Sequence, residues 1–266
     1  MIEGDLAGKI AVVCGGSTGI GRACALRLAE AGASVAVVAR RPEPIDEVVA
    51  MIGAAGGEAL GIPADLSVSD EVKPAIERVA EHFGGIDVLV NSQGIQRYGT
   101  VEETSDELWD EVMNTNTRSM YLTARYVIPA MRMRGGGAIV NVGSVQGLAT
   151  QTQVAAYSTS KAANISLTRT IAVDYAKEGI RCNIVLPASI DTPMLREAAD
   201  TFRGEGTIDE MVGLWGKMHP LGRVGTPDDV AHLVVFLAGP KAAFITGAEI
   251  KVDGGMMAAL GVVLPE

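Results

Sequence analysis

Residues 10–21 read Ile10-Ala11-Val12-Val13-Cys14-Gly15-Gly16-Ser17-Thr18-Gly19-Ile20-Gly21, and this stretch decides the fold. Its first five residues form a continuous apolar run of strand length. Two glycines end the run, and from Ile20 to Glu30 apolar residues recur at helical spacing until Gly32 stops the pattern. A helix that opens here aims its unpaired amide N–H groups and its positive dipole end at the turn, which makes an anion site. Gly15, Gly19 and Gly21 suit a tight turn, a close backbone approach to a pyrophosphate and close helix-to-strand packing, with Ser17 and Ile20 in the same loop. The spacing differs from G-x-G-x-x-G, and a glycine-rich turn alone can be no more than a turn.

Working outward, the strand and helix pattern repeats. Val35 to Ala39 precedes a helix to about Ala55, and Ala59 to Pro63 precedes Asp70 to Phe83. Ile86 to Asn91 precedes one long helix, Leu108 to Met133; Ala138 to Val142 precedes Ala156 to Lys177; Ile180 to Leu186 closes the series. Strands apolar on both faces and separated by helices require a parallel sheet covered on both sides. The expected fold is α/β, a three-layer doubly wound parallel sheet of Rossmann type. Thr104 with Glu107 reads as a capping box, and Thr226-Pro227-Asp228-Asp229 as a cap, an N1 proline and first-turn acids. No linker or repeat divides the chain, so residues 1–266 read as one domain. The segment of about 191–221, rich in Gly and Pro around short helical patches, interrupts the alternation where a substrate lid is expected.

Composition sets outer limits. The 266 residues carry 22 Lys+Arg against 32 Asp+Glu, a net charge of −10, which argues against nucleic acid as a partner. Three cysteines, Cys14, Cys24 and Cys182, make no disulfide framework and fit free, buried thiols in a reducing compartment, with cytoplasm the default. Met1 to Gly8 carries Glu3 and Asp5 where a secretory signal carries Lys or Arg, and no apolar run approaches the ~18 to 20 residues of a membrane span. Neither secretion nor membrane insertion is expected. No metal site is expected either, since the three histidines lack ligand spacing and the cysteines are not paired as C-x-x-C.

The second apolar run ends in Ala39-Arg40-Arg41, where a dinucleotide fold that takes NAD usually carries a carboxylate for the ribose 2′-hydroxyl. A guanidinium pairs with a 2′-phosphate instead, so NADP(H) is favoured and NAD(H) remains possible. Tyr157 and Lys161 are four apart on a helix and share a face, and Ser144 stands at the carboxyl end of the preceding strand. An alcohol that loses hydride must lose a proton, and a phenol of ordinary pKa near 10 is a poor base at neutral pH. An ammonium about 4 Å away is worth roughly 4 kcal/mol at an effective dielectric near 20, a lowering of up to about three pKa units. Ser144 would hydrogen-bond the substrate oxygen.

Gly15-x-x-x-Gly19-x-Gly21, Asn91-Ser92-Gln93-Gly94, Asn116, Ser144 and Tyr157-x-x-x-Lys161 together resemble the short-chain dehydrogenase/reductase family over about residues 6–258. The resemblance implies that Tyr157 is the general acid/base and that Lys161 also binds the nicotinamide ribose. It makes Ser144 the substrate-orienting serine and Asn116 the holder of a proton-relay water. Asp65-Leu66 would contact adenine, Asn91 and Gly94 would shape the cofactor floor, and Ile190 with Thr192 would reach the carboxamide. A homotetramer built on the two long helices is implied as well. Cys14 stands where the family usually has Thr, Ser92-Gln93 where small residues are usual, and Pro187-Ala188 where Pro-Gly is usual. Thr18 is uncharged where some NADP-binding members have a second basic residue, which leaves the preference to Arg40.

Two other classes compete. Gly15-Gly16-Ser17-Thr18-Gly19 also satisfies G-x-S-x-G, which would make Ser17 a hydrolase nucleophile served by His82, His219 or His232. A non-catalytic NADP(H) sensor is the other, against which the intact Ser144, Tyr157 and Lys161 speak. The favoured expectation is hydride transfer between NADP(H) and a secondary alcohol/carbonyl substrate. Gln96, Arg97, Gln146, Gln151 and Gln153 at the pocket edge, with Met194, Trp215 and Met218 from the lid, suggest a sugar or polyol, and a small cyclic alcohol or diol with NAD is the alternative.

Overall fold

The computed structural model describes residues 5–260; Glu3 and the outermost residues of the 1–266 domain lie outside them. Seven strands, Ile10–Cys14 (β1), Ser34–Ala39 (β2), Ala59–Pro63 (β3), Val88–Asn91 (β4), Gly137–Val142 (β5), Ile180–Pro187 (β6) and Glu249–Val252 (β7), form one sheet. Their order is β3-β2-β1-β4-β5-β6-β7, and every pairing is parallel. The chain runs outward from β1 in one direction through β2 and β3, then in the other from β4. The crevice at the carboxyl ends of β1 and β4 is therefore a topological switch point, where ligands bind in open α/β sheets.

The period of two along each strand divides the core into two layers. Ala11 and Val13 of β1 face helices Gly19–Glu30 (α1), Pro42–Ala54 (α2) and a late helix, Pro227–Ala238. Val12 and Cys14 face Ser69–Phe83 (α3) and the long-helix region on the opposite side. Each large aliphatic side chain buried this way contributes about 1.5 to 3 kcal/mol. The doubly wound parallel sheet is thus observed as expected, with one strand more. β7 was not anticipated, because Glu-Ile-Lys-Val is short, carries two charges and is only partly buried at the sheet edge.

The expected single helix from Leu108 to Met133 is three pieces: Asp106–Met113 (α4), a π-helical turn Asn114–Arg118, and Ser119–Met133 (α5). The widened turn places Asn116 where its side chain serves the β4 loop; the Asn116 amide donates to the Ile95 carbonyl (2.9 Å) and accepts from the Ile95 N–H (2.8 Å). The expected Thr104 cap is also corrected. Ser105 caps α4 by accepting from the Leu108 N–H at 3.2 Å, while the Thr104 hydroxyl turns back to donate to the Thr100 carbonyl at 2.7 Å. Ala155–Asp174 (α6) follows β5. After β6, the irregular segment is mostly two helices, Pro193–Phe202 (α7) and Ile208–Gly216 (α8), before Pro227–Ala238 (α9). Thr226 and Asp229 close a full capping box at α9, as the sequence predicts.

Candidate active site

Two clefts meet above the carboxyl edge of the sheet. The first runs from Arg40, Arg41, Asp65 and Leu66 across Gly15, Ser17, Gly19 and Ile20 to Gly94, Lys161 and Thr192. The second is bounded by Ser144, Gln146, Ile190 and the inner faces of α7 and α8. Tyr157, Gly143, Ile20, Thr192 and Met194 line both. Lys161 reaches only the first and Ser144 only the second, so Tyr157 stands at the junction between them.

The floor of the first cleft depends on missing side chains. Gly15 has φ +72°, and a Cβ on it would lie 2.6 Å from the Gln93 backbone nitrogen. A Cβ on Gly21 would collide with the Gly15 carbonyl, so Gly21 supports the turn from behind rather than lining the cleft. Gly19, φ +53°, opens α1 directly beneath Thr192. Exposed amides at the start of a twelve-residue helix, beside a backbone cradle that Cβ atoms would fill, fit a pyrophosphate. Arg40 and Arg41 are exposed at the end of β2, and neither makes an ion pair among the described residues.

The remaining predicted residues are placed differently from one another. Asp65 and Leu66 line the cofactor-sized cleft, and the Asp65 carboxylate is engaged by the Ser67 N–H (2.9 Å) and hydroxyl (2.7 Å). Asn91 does not line it; fully buried, it donates to Asn141 (2.9 Å) and accepts from the Thr123 hydroxyl (2.8 Å) under the floor. Asn116 is buried too, binding Ile95 and donating to the Ser160 hydroxyl at 3.0 Å. Ile190 lies in the second cleft rather than the first. Gln93 lines the first cleft, but its side-chain amide is tied down. Its amide donates to the Ser119 hydroxyl at 3.0 Å, and Ser119 in turn donates to the Thr115 carbonyl at 2.6 Å, which ties the β4 loop to the π turn. Cys14 holds the same loop through its carbonyl, which accepts from Ser92 N–H at 2.9 Å, so no hydroxyl is needed there.

Electrostatics at the junction departs from the simple expectation. Burial pushes the Tyr157 phenol up to about 12, against a lowering by the Ser144 hydroxyl beside it. Burial also lowers Lys161 to about 8. The Lys161 ammonium sits 5.5 Å from the Tyr157 ring centroid and donates to the Val142 carbonyl at 3.4 Å. In the chain alone desolvation outweighs the Ser144 hydrogen bond, so Tyr157 lies above its ordinary value rather than below it as the spacing predicts. Ser144, at the end of β5, accepts from the Gln146 N–H at 3.1 Å, which fixes its hydroxyl oxygen toward the cleft.

Among the described residues no charged side chain lines the second cleft. Gln96, Gln146, Gln151 and Gln153 edge it as predicted, but Arg97 does not; it pairs with Glu111 at 2.9 Å on the outside. Gln153 holds φ +60°, and its carbonyl accepts from Gly99 N–H at 2.7 Å, pinning the rim to the β4 loop. Met194, Trp215 and Met218 form the opposite wall with Tyr98, Phe202, Met256 and Met257. The last four were not foreseen. They come from separate segments with no shared periodicity, and only the topology brings them together.

The Ser17 alternative fails on placement: Ser17 lies in the first cleft, and no histidine lines either cleft. Among the described residues no group of three or more His, Cys, Asp or Glu is arranged to hold a metal, and no helix is long and apolar enough to cross a membrane.

A glycine cradle at a switch point, joined at a Tyr, Lys and Ser to an uncharged substrate cleft, defines a nicotinamide-dependent oxidoreductase of alcohols and carbonyls. A family model described as enoyl-(acyl carrier protein) reductase matches residues 15–257. The cyclohexanol dehydrogenase of Acinetobacter sp. is 36% identical over 247 residues, 92% of this chain and 94% of that protein. The ligand-free aldohexose dehydrogenase of Thermoplasma acidophilum superposes with a TM-score of 0.90 at 38% identity, covering 98% of this chain and 99% of the other. The L-sorbose reductase of Gluconobacter frateurii, solved with NADPH and L-sorbose, gives 0.92 at 31% identity over 98% of this chain and 100% of its own. The chain belongs to the short-chain dehydrogenase/reductase family, whose members bind NAD(P)(H) and act on alcohol and carbonyl groups.

Proposed function

We propose that this protein transfers hydride reversibly between NADP(H) and a neutral secondary alcohol/carbonyl pair of the sugar or polyol class. The observation that carries the proposal is the position of Tyr157, which alone of the Tyr, Lys and Ser set faces both clefts. Bound NADP(H) supplies or accepts the hydride. Tyr157 donates the proton to the carbonyl oxygen in reduction and receives it in oxidation. Ser144 orients that oxygen by hydrogen bonding, and Lys161 binds the nicotinamide ribose and lies beside Tyr157. Asn116, buried beside Ser160, belongs to the proton route away from Lys161. Asp65 and Leu66 hold adenine, Thr192, which lines both clefts, faces the carboxamide with Ile190 behind it on the substrate side, and Arg40 and Arg41 pair with the 2′-phosphate.

The helices α7 and α8, within about residues 191–221, serve as the lid. The exposed apolar side chains of Tyr121 on α5 and Val173 on α6 support a homotetramer built on those helices. Three buried thiols support a reducing compartment such as the cytoplasm. The amide rim, the uncharged lining, and the sugar and sorbose substrates named for two structural relatives support a polyol substrate. A second reading, an NAD-dependent dehydrogenase of a small cyclic alcohol, is supported by the thioether and aromatic wall and by the cyclohexanol relative. The test follows nicotinamide absorbance across sugars, polyols, cyclic alcohols and ketones, with NADP and NAD in parallel. Tyr157→Phe is expected to abolish turnover of the best substrate, and full activity in that variant would refute the mechanism.

A further inference from the structure

Tyr98 follows the Asn91-Ser92-Gln93-Gly94 turn by four residues and lines the substrate cleft from the β4 side. Its ring meets Phe202 of α7 edge to face, with centroids 4.7 Å apart and planes at 85°, which fixes the phenol against the lid. Its hydroxyl has no hydrogen-bond partner among the described residues, although a half-buried phenol in an apolar wall normally finds one. Burial and the Glu197 carboxylate hold the Tyr98 phenol above its ordinary range, so it remains a neutral donor at working pH. Tyr98 and Tyr157 line the same cleft, and a charge on Tyr98 would oppose ionisation of Tyr157. Gln146 lies beyond Ser144 with its amide N–H donating to Gln151 Oε1 at 3.2 Å, which continues the polar side away from the junction.

We propose that the Tyr98 hydroxyl binds a second substrate oxygen on the carbon next to the reacting one, making neutral vicinal diols and α-hydroxyketones the substrate class. The inference rests on the proton-transfer assignment of Tyr157 and Ser144, which already occupy the reacting oxygen. Tyr98 adds an unpartnered aromatic hydroxyl to the cleft that Tyr157 and Ser144 line, and an uncharged lining gives no partner to a phosphate or carboxylate. In the oxidation, one C–H bond breaks with its electron pair leaving as hydride to oxidised NADP. The O–H proton on the same carbon leaves through Tyr157, and the neighbouring hydroxyl is unchanged.

Tyr98→Phe keeps the ring contact with Phe202 and removes only the oxygen. The assay compares cyclohexanol with cyclohexane-1,2-diol, using NADP as oxidant and reading kcat and KM for each. Wild-type enzyme is expected to prefer the diol. In Tyr98→Phe the ratio of kcat/KM for diol over cyclohexanol is expected to fall about three- to tenfold, the worth of one neutral hydrogen bond, with the loss in the KM of the diol. An unchanged ratio, a loss confined to kcat, or a wild-type enzyme that does not use the diol overturns the inference. Tyr157→Phe, measured on both substrates, tests the underlying assignment separately, since full activity there refutes the proton donor whatever Tyr98 does.

Discussion

Gly15→Ala tests the cofactor cradle at its tightest point. The residue sits at φ +72°, and an added Cβ would lie 2.6 Å from Gln93 N, 2.7 Å from Gln93 Cα and 2.9 Å from Ser92 C. All three contacts are backbone, so no flexible side chain can turn away. The left-handed conformation costs an alanine about 1 to 2 kcal/mol. Forcing apart two packed segments adds about 1 to 3 kcal/mol. The loop after β1 and the loop after β4 must separate, and both line the first cleft. The expected outcome is a fall in melting temperature of about 5 °C or more, with a cofactor KM raised at least ~10-fold for each 1.4 kcal/mol lost from binding. Gly213→Ala is the comparison, because it lies in α8 with nothing within 4 Å of its added Cβ. There alanine favours the helix by about 0.5 to 1 kcal/mol, and the melting temperature should hold or rise. A Gly15→Ala protein with wild-type melting and wild-type cofactor KM would refute the cradle.

Arg40→Ala is expected to lower the NADP over NAD preference about tenfold, the lower end for a hydrogen bond to a charged group because Arg40 is exposed; an unchanged preference removes the basis for NADP. In the protein without cofactor, a difference ultraviolet titration of wild type against Tyr157→Phe should show no tyrosinate signal until pH approaches 12, and a signal below pH 9 would mean that burial does not dominate. Lys161 has its folded pKa lowered to about 8, so between there and its unfolded value the unfolded chain binds the extra proton and stability rises with pH. Denaturant titrations should show wild type gaining on Lys161→Met from pH 8 to 10, by up to about 3 kcal/mol, and parallel profiles would count against a buried ammonium.

How much of this was legible in the sequence depends on whether a property is local. The strand, glycine turn and helix of residues 10–30, and the spacing of Tyr157 and Lys161, are local patterns, and the structure places them as read. The Thr226 cap is local too. The Thr104 cap failed by one residue, because two adjacent hydroxyls compete and the Thr100 carbonyl captured the first. The π turn at Asn114–Arg118 leaves no break in apolar spacing, and its cause is the Asn116 contact with Ile95, twenty-one residues away. Arg97 and Gln93 had equally polar side chains in one short loop, yet Glu111 draws Arg97 outward while Ser119 draws Gln93 inward. The direction of the Tyr157 shift is not local either, because a four-residue spacing reports proximity of the ammonium but not burial of the phenol.

A phenol pushed up to about 12 is a loaded acid, suited to give its proton to a carbonyl, but it is a base in oxidation only after something favours the phenolate. Lys161, lowered to about 8, keeps most of its positive charge at neutral pH, yet the Tyr157 phenol stays high beside it. The oxidised nicotinamide ring carries a positive charge and the reduced ring none, so of the two cofactor forms the oxidised one would favour the Tyr157 phenolate. By linkage, a ligand that lowers the pKa of a group binds more tightly as pH rises toward that group's free value. Both cofactor forms carry the same phosphates, so phosphate contacts cancel in a comparison of the two. Binding of NADP should therefore tighten between pH 7 and 10 relative to binding of NADPH, measured by fluorescence or calorimetric titration without substrate. In Tyr157→Phe the part of that difference at the alkaline end should vanish, leaving the part near pH 8 that is due to Lys161. Equal pH slopes for the two forms in wild type would show that the phenol is not coupled to the charge of the ring, and would leave oxidation to a base other than Tyr157.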